Sequence, residues 1–218
     1  MGKKPVQLVC LIGIDGAGKT SHARRLVSEI SISKKSYLWL RSSHFLSLPF
    51  MTLCRLIGLT AVHHQRDGVK RKEHQYYRNK AVATIWPWIQ LVDAIIFVAF
   101  MIYMPLRRGF LLVCDRFVHD VLVDLMADTE SSDLHEKTVG RLILRLVPQS
   151  SLVFLLDVDE TIVLMRKNDI PSLEYLRKRR RLYRLIASHL NLPIIDCSQP
   201  LDIVHAALIT SMRQAWPS

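Results

Sequence analysis

The feature that most constrains this chain is a glycine-rich octapeptide close to its N-terminus, Gly13-Ile14-Asp15-Gly16-Ala17-Gly18-Lys19-Thr20. It matches the pattern GxxxxGK followed by Ser or Thr at every required position. An almost continuous apolar run, Val6 to Ile12, precedes it. Apolar residues after it share one helical face, at Ala23, Leu26, Val27 and Ile30. The order of strand, loop and helix predicts a phosphate-binding loop at the carboxyl end of a buried strand.

The residue types of this loop follow from the chemistry that such a loop performs. Its backbone N–H groups turn inward around phosphate oxygens, and glycines permit both that path and that closeness. The helix that follows points the positive end of its dipole at the same phosphates. In such a loop Lys19 reaches the β and γ phosphates of ATP, and the Thr20 hydroxyl ligates Mg²⁺. We therefore expect ATP to be bound by Gly13, Asp15, Gly16, Ala17, Gly18, Lys19 and Thr20.

Short buried strands alternate with helical segments along the 218 residues. We predict strands at Val6 to Ile12, Tyr37 to Leu40, Phe110 to Cys114, Leu152 to Leu156 and Ile194-Ile195. Such alternation favours an α/β fold with a five-stranded parallel sheet flanked by helices on both faces. With the phosphate loop at its start, the expected fold is that of a P-loop kinase. The length suits one domain, residues 1–218.

A second motif, Cys114-Asp115-Arg116-Phe117, comes at the end of the third predicted strand. Ligands bind at the carboxyl ends of strands in such sheets, so Asp115 is placed to hold magnesium or to orient the attacking oxygen. Arg116 beside it is suited to clamp phosphate oxygens. The alternative is that Asp115 only caps the next helix. We favour the functional interpretation, because a phosphate loop needs an acidic partner for magnesium.

Together these segments resemble the thymidylate kinase family. Ile12 to Thr20, reading IGIDGAGKT, is similar to its phosphate loop, and Cys114 to Phe117 is similar to its Asp-Arg-aromatic motif. Further segments resemble its fourth strand, the start of its lid, its lid-exit helix and its turn near adenine: Phe154 to Val158, Arg166, Arg180 with Tyr183, and Ile195 to Gln199. The resemblance covers nearly the whole chain.

The resemblance implies an ATP- and Mg²⁺-dependent nucleoside-monophosphate kinase of nucleotide biosynthesis. The catalytic residues would be Lys19, Asp115, Arg116 and Arg166, with Arg166 closing over the transferring phosphoryl group. The acceptor would be bound by Asp15, Arg41, Arg116 and Arg180, and the metal by Thr20 and Asp115. A helical acceptor-side region at about 42–108 and a short lid at about 166–174 are expected as well.

The sequence departs from the family where the acceptor binds. The family has an Arg-Glu-Pro motif after its second strand, whereas Arg41 is followed by Ser42-Ser43. The family's base-recognition segment, Ala-Asp-Arg, has its nearest counterpart in Leu91 to Ile95, which contains no arginine. The sequence therefore leaves two alternatives for the acceptor. One is a thymidylate-like nucleotide, and the other is a nucleoside, a sugar or another phosphorylated metabolite. The alternative to an enzyme is a nucleotide-dependent module that binds a membrane or a protein partner.

The stretch Ile85 to Met104 is about as long as a membrane span and carries one charge, Asp93. An acid in mid-span costs roughly 2.5 kcal/mol on insertion scales, and Pro87 interrupts the stretch too. We therefore favour a buried or partly buried core helix. A homodimer interface and a membrane-surface helix are the alternatives.

The net charge of +11 suits a protein that handles polyphosphates or one that contacts nucleic acid or an anionic membrane. We expect nucleotide substrates and do not expect nucleic acid as a partner. The four cysteines lie far apart without a CxxC pair, so we predict buried, reduced thiols in a cytoplasmic protein.

Overall fold

The computed structural model describes residues 7–40, 46–64, 70–166 and 172–215 of the chain. The strands within these residues are β1 Leu8–Ile12, β2 Lys35–Trp39, β3 Thr60–His64, β4 Lys70–His74, β5 Leu111–Asp115, β6 Ser151–Asp157 and β7 Ile194–Asp196. Five of them form one parallel sheet in the order β2-β5-β1-β6-β7. The predicted α/β class and five-stranded parallel sheet are confirmed.

Helices cover both faces of this sheet. The α-helices of the described residues are α1 Lys19–Glu29, α2 Ser47–Leu56, α3 Lys80–Val98, α4 Met104–Arg107, α5 Val118–Asp128, α6 Thr138–Leu144, α7 Glu160–Arg166, α8 Leu173–His189 and α9 Leu201–Ala215. Every residue of β1 is fully buried, which requires cover above and below the central strand. The four cysteines are buried free thiols, as the sequence predicts.

The strand register brings the two motifs to one edge of the sheet. Asp115, the last residue of β5, pairs with Leu11 of β1 on one side and with Trp39 of β2 on the other. The phosphate loop begins two residues after this level, at Gly13, directly after the end of β1. Both motifs therefore lie at the carboxyl ends of neighbouring parallel strands, where ligands bind in open α/β sheets.

The acceptor-side region differs from the prediction in one respect. Strands β3 and β4 form an antiparallel hairpin inside the stretch that the sequence predicts as helical. That part of the prediction is wrong, because lysines and histidines at these positions give no apolar alternation that would indicate strands.

A helix of 28 residues follows the hairpin, from Lys80 to Arg107, and is called the long helix below. It joins α3 and α4 through one π-helical segment, Ala99–Tyr103. The long helix is long and apolar enough to cross a membrane, and 39% of its most apolar 18-residue stretch is buried inside the protein. The prediction of a partly buried helix is therefore confirmed, and a large part of its apolar surface is exposed.

The charge that interrupts the apolar stretch, Asp93, is buried and caps a neighbouring helix. Its carboxylate accepts hydrogen bonds from the backbone N–H of Leu46 (2.8 Å) and of Ser47 (3.1 Å), and from the Ser47 hydroxyl (2.7 Å). The first N–H groups of a helix have no partner inside the helix, so Asp93 supplies partners for the start of α2. This long-range cap joins α2 to the long helix.

We predict that Asp93→Ala lowers the free energy of unfolding by about 3 kcal/mol, because it leaves buried donors without an acceptor at roughly 1–3 kcal/mol each. Ser47→Ala removes one of these donors together with its bond, and should cost about 1 kcal/mol. Urea unfolding followed by circular dichroism measures both variants. Equal stability of wild type and Asp93→Ala would contradict the capping role.

Candidate phosphoryl-transfer site

The phosphate loop packs tightly against the elements that surround it. Gly13 has φ 140° and Gly16 has φ 86°, backbone conformations that side chains rarely allow. A Cβ at position 13 would overlap the carbonyl oxygen of Leu156, and one at position 16 would lie 2.6 Å from the Val163 side chain. Both glycines are thus required by conformation and by space, and the loop packs closely between β6 and α7.

Lys19 lies buried inside the loop. Its Nζ donates hydrogen bonds to the carbonyl oxygens of Gly13 and Ile14, each at 2.7 Å. Burial lowers the pKa of this ammonium to about 8, with a further contribution from the positive charge of Arg116, while nearby carboxylates act in the opposite direction. The ammonium is therefore charged at neutral pH and held where phosphate oxygens would meet it.

Asp115 is buried at the end of β5 and is bonded from two other elements. The hydroxyls of Thr20 on α1 and Tyr37 on β2 both donate to its Oδ2, the latter at 3.2 Å. Its Oδ1 is buried and has no hydrogen-bond partner among the described residues. The N–H of Phe117, just before α5, is bonded by Asp120 instead (2.9 Å). The described contacts therefore do not support the interpretation of Asp115 as a helix cap.

The Asp115 and Thr20 side chains fit a magnesium ion. Mg²⁺ prefers oxygen ligands and usually binds one or two carboxylates together with waters and substrate phosphates. A buried carboxylate oxygen without a partner carries a large desolvation cost, which a cation would offset. Asp115 Oδ1 is such an oxygen, and the Thr20 hydroxyl lies beside the same carboxylate.

Arg116 adopts a left-handed backbone conformation, with φ 73°. Strain of this kind costs of order 1–3 kcal/mol and is concentrated at functional sites. The guanidinium forms an ion pair with Asp15 of the phosphate loop and lies 3.7 Å from Asp120. Burial alone would lower the pKa of Arg116, but the carboxylates of Asp120 and Asp15 raise it above its ordinary value. Arg116 is therefore a permanently charged group facing the phosphate loop.

Asp120 completes this network and was not among the predicted site residues. It is buried on α5 and accepts a hydrogen bond from the Tyr183 hydroxyl of α8 at 2.6 Å. Burial raises its pKa to about 6, although Arg116 and Lys19 pull in the opposite direction. Its position three residues after Phe117, typical of a first-turn helix acid, was the signal available.

The protein is similar to known proteins in its structure. The sequence matches no protein-family model and no curated protein. Among solved structures, thymidylate kinase from Ehrlichia chaffeensis matches with a TM-score of 0.57 and 14% identity, covering 94% of this chain and 98% of that chain. Thymidylate kinase from Candida albicans, whose structure is described as revealing the origin of broad substrate specificity, matches with a TM-score of 0.62 and 13% identity. That match covers 97% of this chain and 92% of the other.

The fold is that of thymidylate kinases. At 13–14% identity the two matches show similarity of the backbone fold. They confirm the fold that the resemblance implies.

Within this thymidylate kinase fold, five of the predicted residues come together: Asp15, Lys19, Thr20, Asp115 and Arg116. Two other predicted residues have different partners. Arg166 donates to the carbonyl oxygens of Cys197 (3.1 Å) and Ser198 (3.4 Å), in the turn after β7. Its role over the transferring phosphoryl group therefore stays a prediction.

Arg180 faces inward from α8, three residues before the buried Tyr183. It binds both carboxylate oxygens of Asp157 (2.9 and 3.0 Å) and also pairs with Asp159 and Glu160. Arg180 is thus anchored to the end of β6 and the start of α7. Its predicted contact with the acceptor stays untested, and Arg41 and lid residues 167–171 lie outside the described residues.

Tyr37 is a further residue that sequence reasoning missed. Its pKa is raised, mainly by burial and then by the charge of Asp115, so the hydroxyl keeps the proton that it donates. No local pattern indicates this role, since the tyrosine occupies an ordinary position in a short strand.

We predict that kcat/KM for ATP falls as pH rises through about 8, because Lys19 loses its charge there. Lys19→Arg keeps a positive charge at all accessible pH values and should show lower activity without that alkaline decline. Steady-state rates across a pH series compare the two proteins. The same decline in both would assign the titration to another group.

Asp115→Asn should lower kcat by about a hundredfold or more, the size expected when one charge at a phosphoryl-transfer centre is lost. The amide retains the shape and can still accept from Thr20 and Tyr37, so thermal stability should change little. Asp133→Asn, an exposed aspartate on the surface, is the matched control and should keep the wild-type rate. An Asp115→Asn enzyme with normal turnover would refute the metal-binding role.

Proposed function

We propose that the protein is an ATP-dependent phosphotransferase of the nucleoside-monophosphate kinase type. The observation that carries this proposal is the meeting of Lys19, Thr20, Asp115 and Arg116 at one edge of the sheet. A phosphate loop, a magnesium-type carboxylate and an arginine are the parts from which phosphoryl-transfer sites are built. The thymidylate kinase fold supports the same assignment.

Each residue has a specific task in this proposal. Lys19 exchanges its loop carbonyls for the β and γ phosphates of ATP, and the loop N–H groups surround the same phosphates. Thr20 and Asp115 hold Mg²⁺, which when bound neutralises charge on the phosphates. Arg116 binds the acceptor phosphate, whose oxygen forms a new bond to the γ phosphorus as the bond to ADP breaks. Before the acceptor binds, Asp15 and Asp120 pair with the Arg116 guanidinium and orient it.

The acceptor is the less determined half of the reaction. Asp93 belongs to Leu91 to Ile95, the nearest counterpart of the family's base-recognition segment, but its carboxylate caps α2. This favours an acceptor that is not selected by polar contacts from Leu91 to Ile95. We propose a pyrimidine nucleoside monophosphate bound with modest selectivity, and another phosphorylated metabolite as the second candidate. Broad substrate specificity, the property described for the Candida albicans enzyme, agrees with the first.

A screen for ADP release tests the proposal. Purified protein with ATP and Mg²⁺ is supplied with nucleoside monophosphates, nucleosides, sugars and sugar phosphates in turn. At least one acceptor should raise ADP release well above the rate with water alone. Lys19→Ala should abolish that release while its circular dichroism spectrum stays unchanged, because Lys19 serves the phosphates rather than the core. Release that persists in Lys19→Ala would refute the assignment of the loop.

Acceptor choice gives a second prediction. Apolar pockets discriminate between similar substrates by about a hundredfold at most, whereas a site with dedicated polar groups reaches far higher ratios. We expect the kcat/KM for dTMP to exceed that for dUMP by no more than about a hundredfold. Steady-state kinetics with both nucleotides measures the ratio. A preference of a thousandfold or more would show that a base-reading polar group exists in the site.

A further inference from the structure

An exposed apolar face runs along α2 and the long helix. On the long helix Ile85, Trp88, Val92 and Ile95 recur at helical spacing and are all exposed, and Phe100 continues them at 62% exposure. On α2 the most exposed apolar residue is Leu56, at 80%. The two helices are neighbours, since Phe50 of α2 stacks on Trp86 of the long helix with ring centroids 5.7 Å apart. Contiguous exposed apolar patches on soluble proteins mark interaction surfaces.

The exposed charges on α2 and the long helix are all positive. The one acid in the long helix, Asp93, is buried on the opposite side, where it caps α2. Basic residues flank both ends of the exposed stripe, with Arg78 and Lys80 before it and Arg107 and Arg108 after it, all exposed. The whole region 42–108 contains nine Lys and Arg against three Asp and Glu, which is +6 of the chain's net charge of +11.

We propose that this face, made by α2 and the long helix, docks on the surface of an anionic lipid bilayer. An apolar stripe with aromatic residues and basic flanks is the pattern of helices that lie in the membrane interface. The apolar side chains enter the boundary of the acyl chains, and the basic residues meet anionic headgroups. The docked kinase would keep its opposite side in water.

Charge decides between a bilayer and a second copy of the chain. Two copies joined through this face would bring the same basic flanks together, and the described residues of the long helix and α2 offer no exposed acid to pair with them. Anionic lipids supply the missing negative charge. The long helix does not span the bilayer in this arrangement, because Gln90, Asp93 and Val98 are buried against the rest of the protein.

Co-sedimentation with lipid vesicles tests the proposal. The wild-type protein should pellet with vesicles of phosphatidylcholine and phosphatidylglycerol in equal parts, and far less with vesicles of phosphatidylcholine alone. The double variant Arg107→Gln/Arg108→Gln should bind the anionic vesicles about thirtyfold more weakly, since each basic residue near such a surface strengthens binding about fivefold. Added salt should weaken wild-type binding. The assay needs no ATP turnover, so its result is independent of the proposed kinase reaction.

A matched pair of apolar variants tests whether vesicle binding depends on this face or on exposed apolar residues anywhere on the protein. Leu56→Ser/Phe100→Ser should lose most of the vesicle binding, whereas Ile203→Ser, which removes an exposed isoleucine (57%) on α9, should retain it. Circular dichroism confirms that each variant is folded. Equal loss in both, or no wild-type binding to anionic vesicles, would overturn the proposal. Sedimentation velocity showing a stable wild-type dimer that Leu56→Ser/Phe100→Ser dissociates would assign the face to a second copy instead.

Discussion

The buried carboxylate of Asp115 receives hydroxyl hydrogen bonds from Thr20 at the start of α1 and from Tyr37 on β2. A carboxylate taken out of water costs several kcal/mol unless other groups compensate for the lost solvation. The compensation depends on the strand register, because β5 must lie between β1 and β2 with Asp115 level with Trp39. The site therefore depends on the sheet order, and an error in strand pairing would leave this charge without its partners.

The parts of the site that could be predicted are those written in local sequence. Spacing alone places Lys19 and Thr20 relative to the loop glycines, and the apolar run before Asp115 indicates a buried strand. The partners of these residues come from distant parts of the chain. Tyr37 reaches Asp115 across 78 positions, and Tyr183 reaches Asp120 across 63. One sequence contains no periodicity that would connect such pairs, so they became visible only with the fold.

For the arginines too, the sequence gives the residue type, whereas the residue with which each one pairs becomes known only from the structure. Arg180 lies three residues before the buried Tyr183 and faces inward with it, but a guanidinium fits a carboxylate and a phosphate equally well. The structure gives it Asp157 in a bidentate pair. Arg116 is likewise paired with Asp15, so an acceptor phosphate that binds Arg116 competes with this carboxylate. Acceptor affinity in the proposed reaction is then a difference between two ion pairs rather than the strength of one.

The π-helical segment of the long helix has a consequence for the surface that the helix presents. Six of its buried residues form a row at every fourth position: Trp86, Gln90, Ala94, Val98, Ile102 and Leu106. In a regular α-helix four residues turn through more than a full circle, so such a row drifts by about 40° at each step. The wider turn at Ala99–Tyr103 advances less per residue and brings the row back toward the core. Deleting one residue from this segment would rotate Leu106 away from the core relative to the buried residues before the segment, with almost no change in composition.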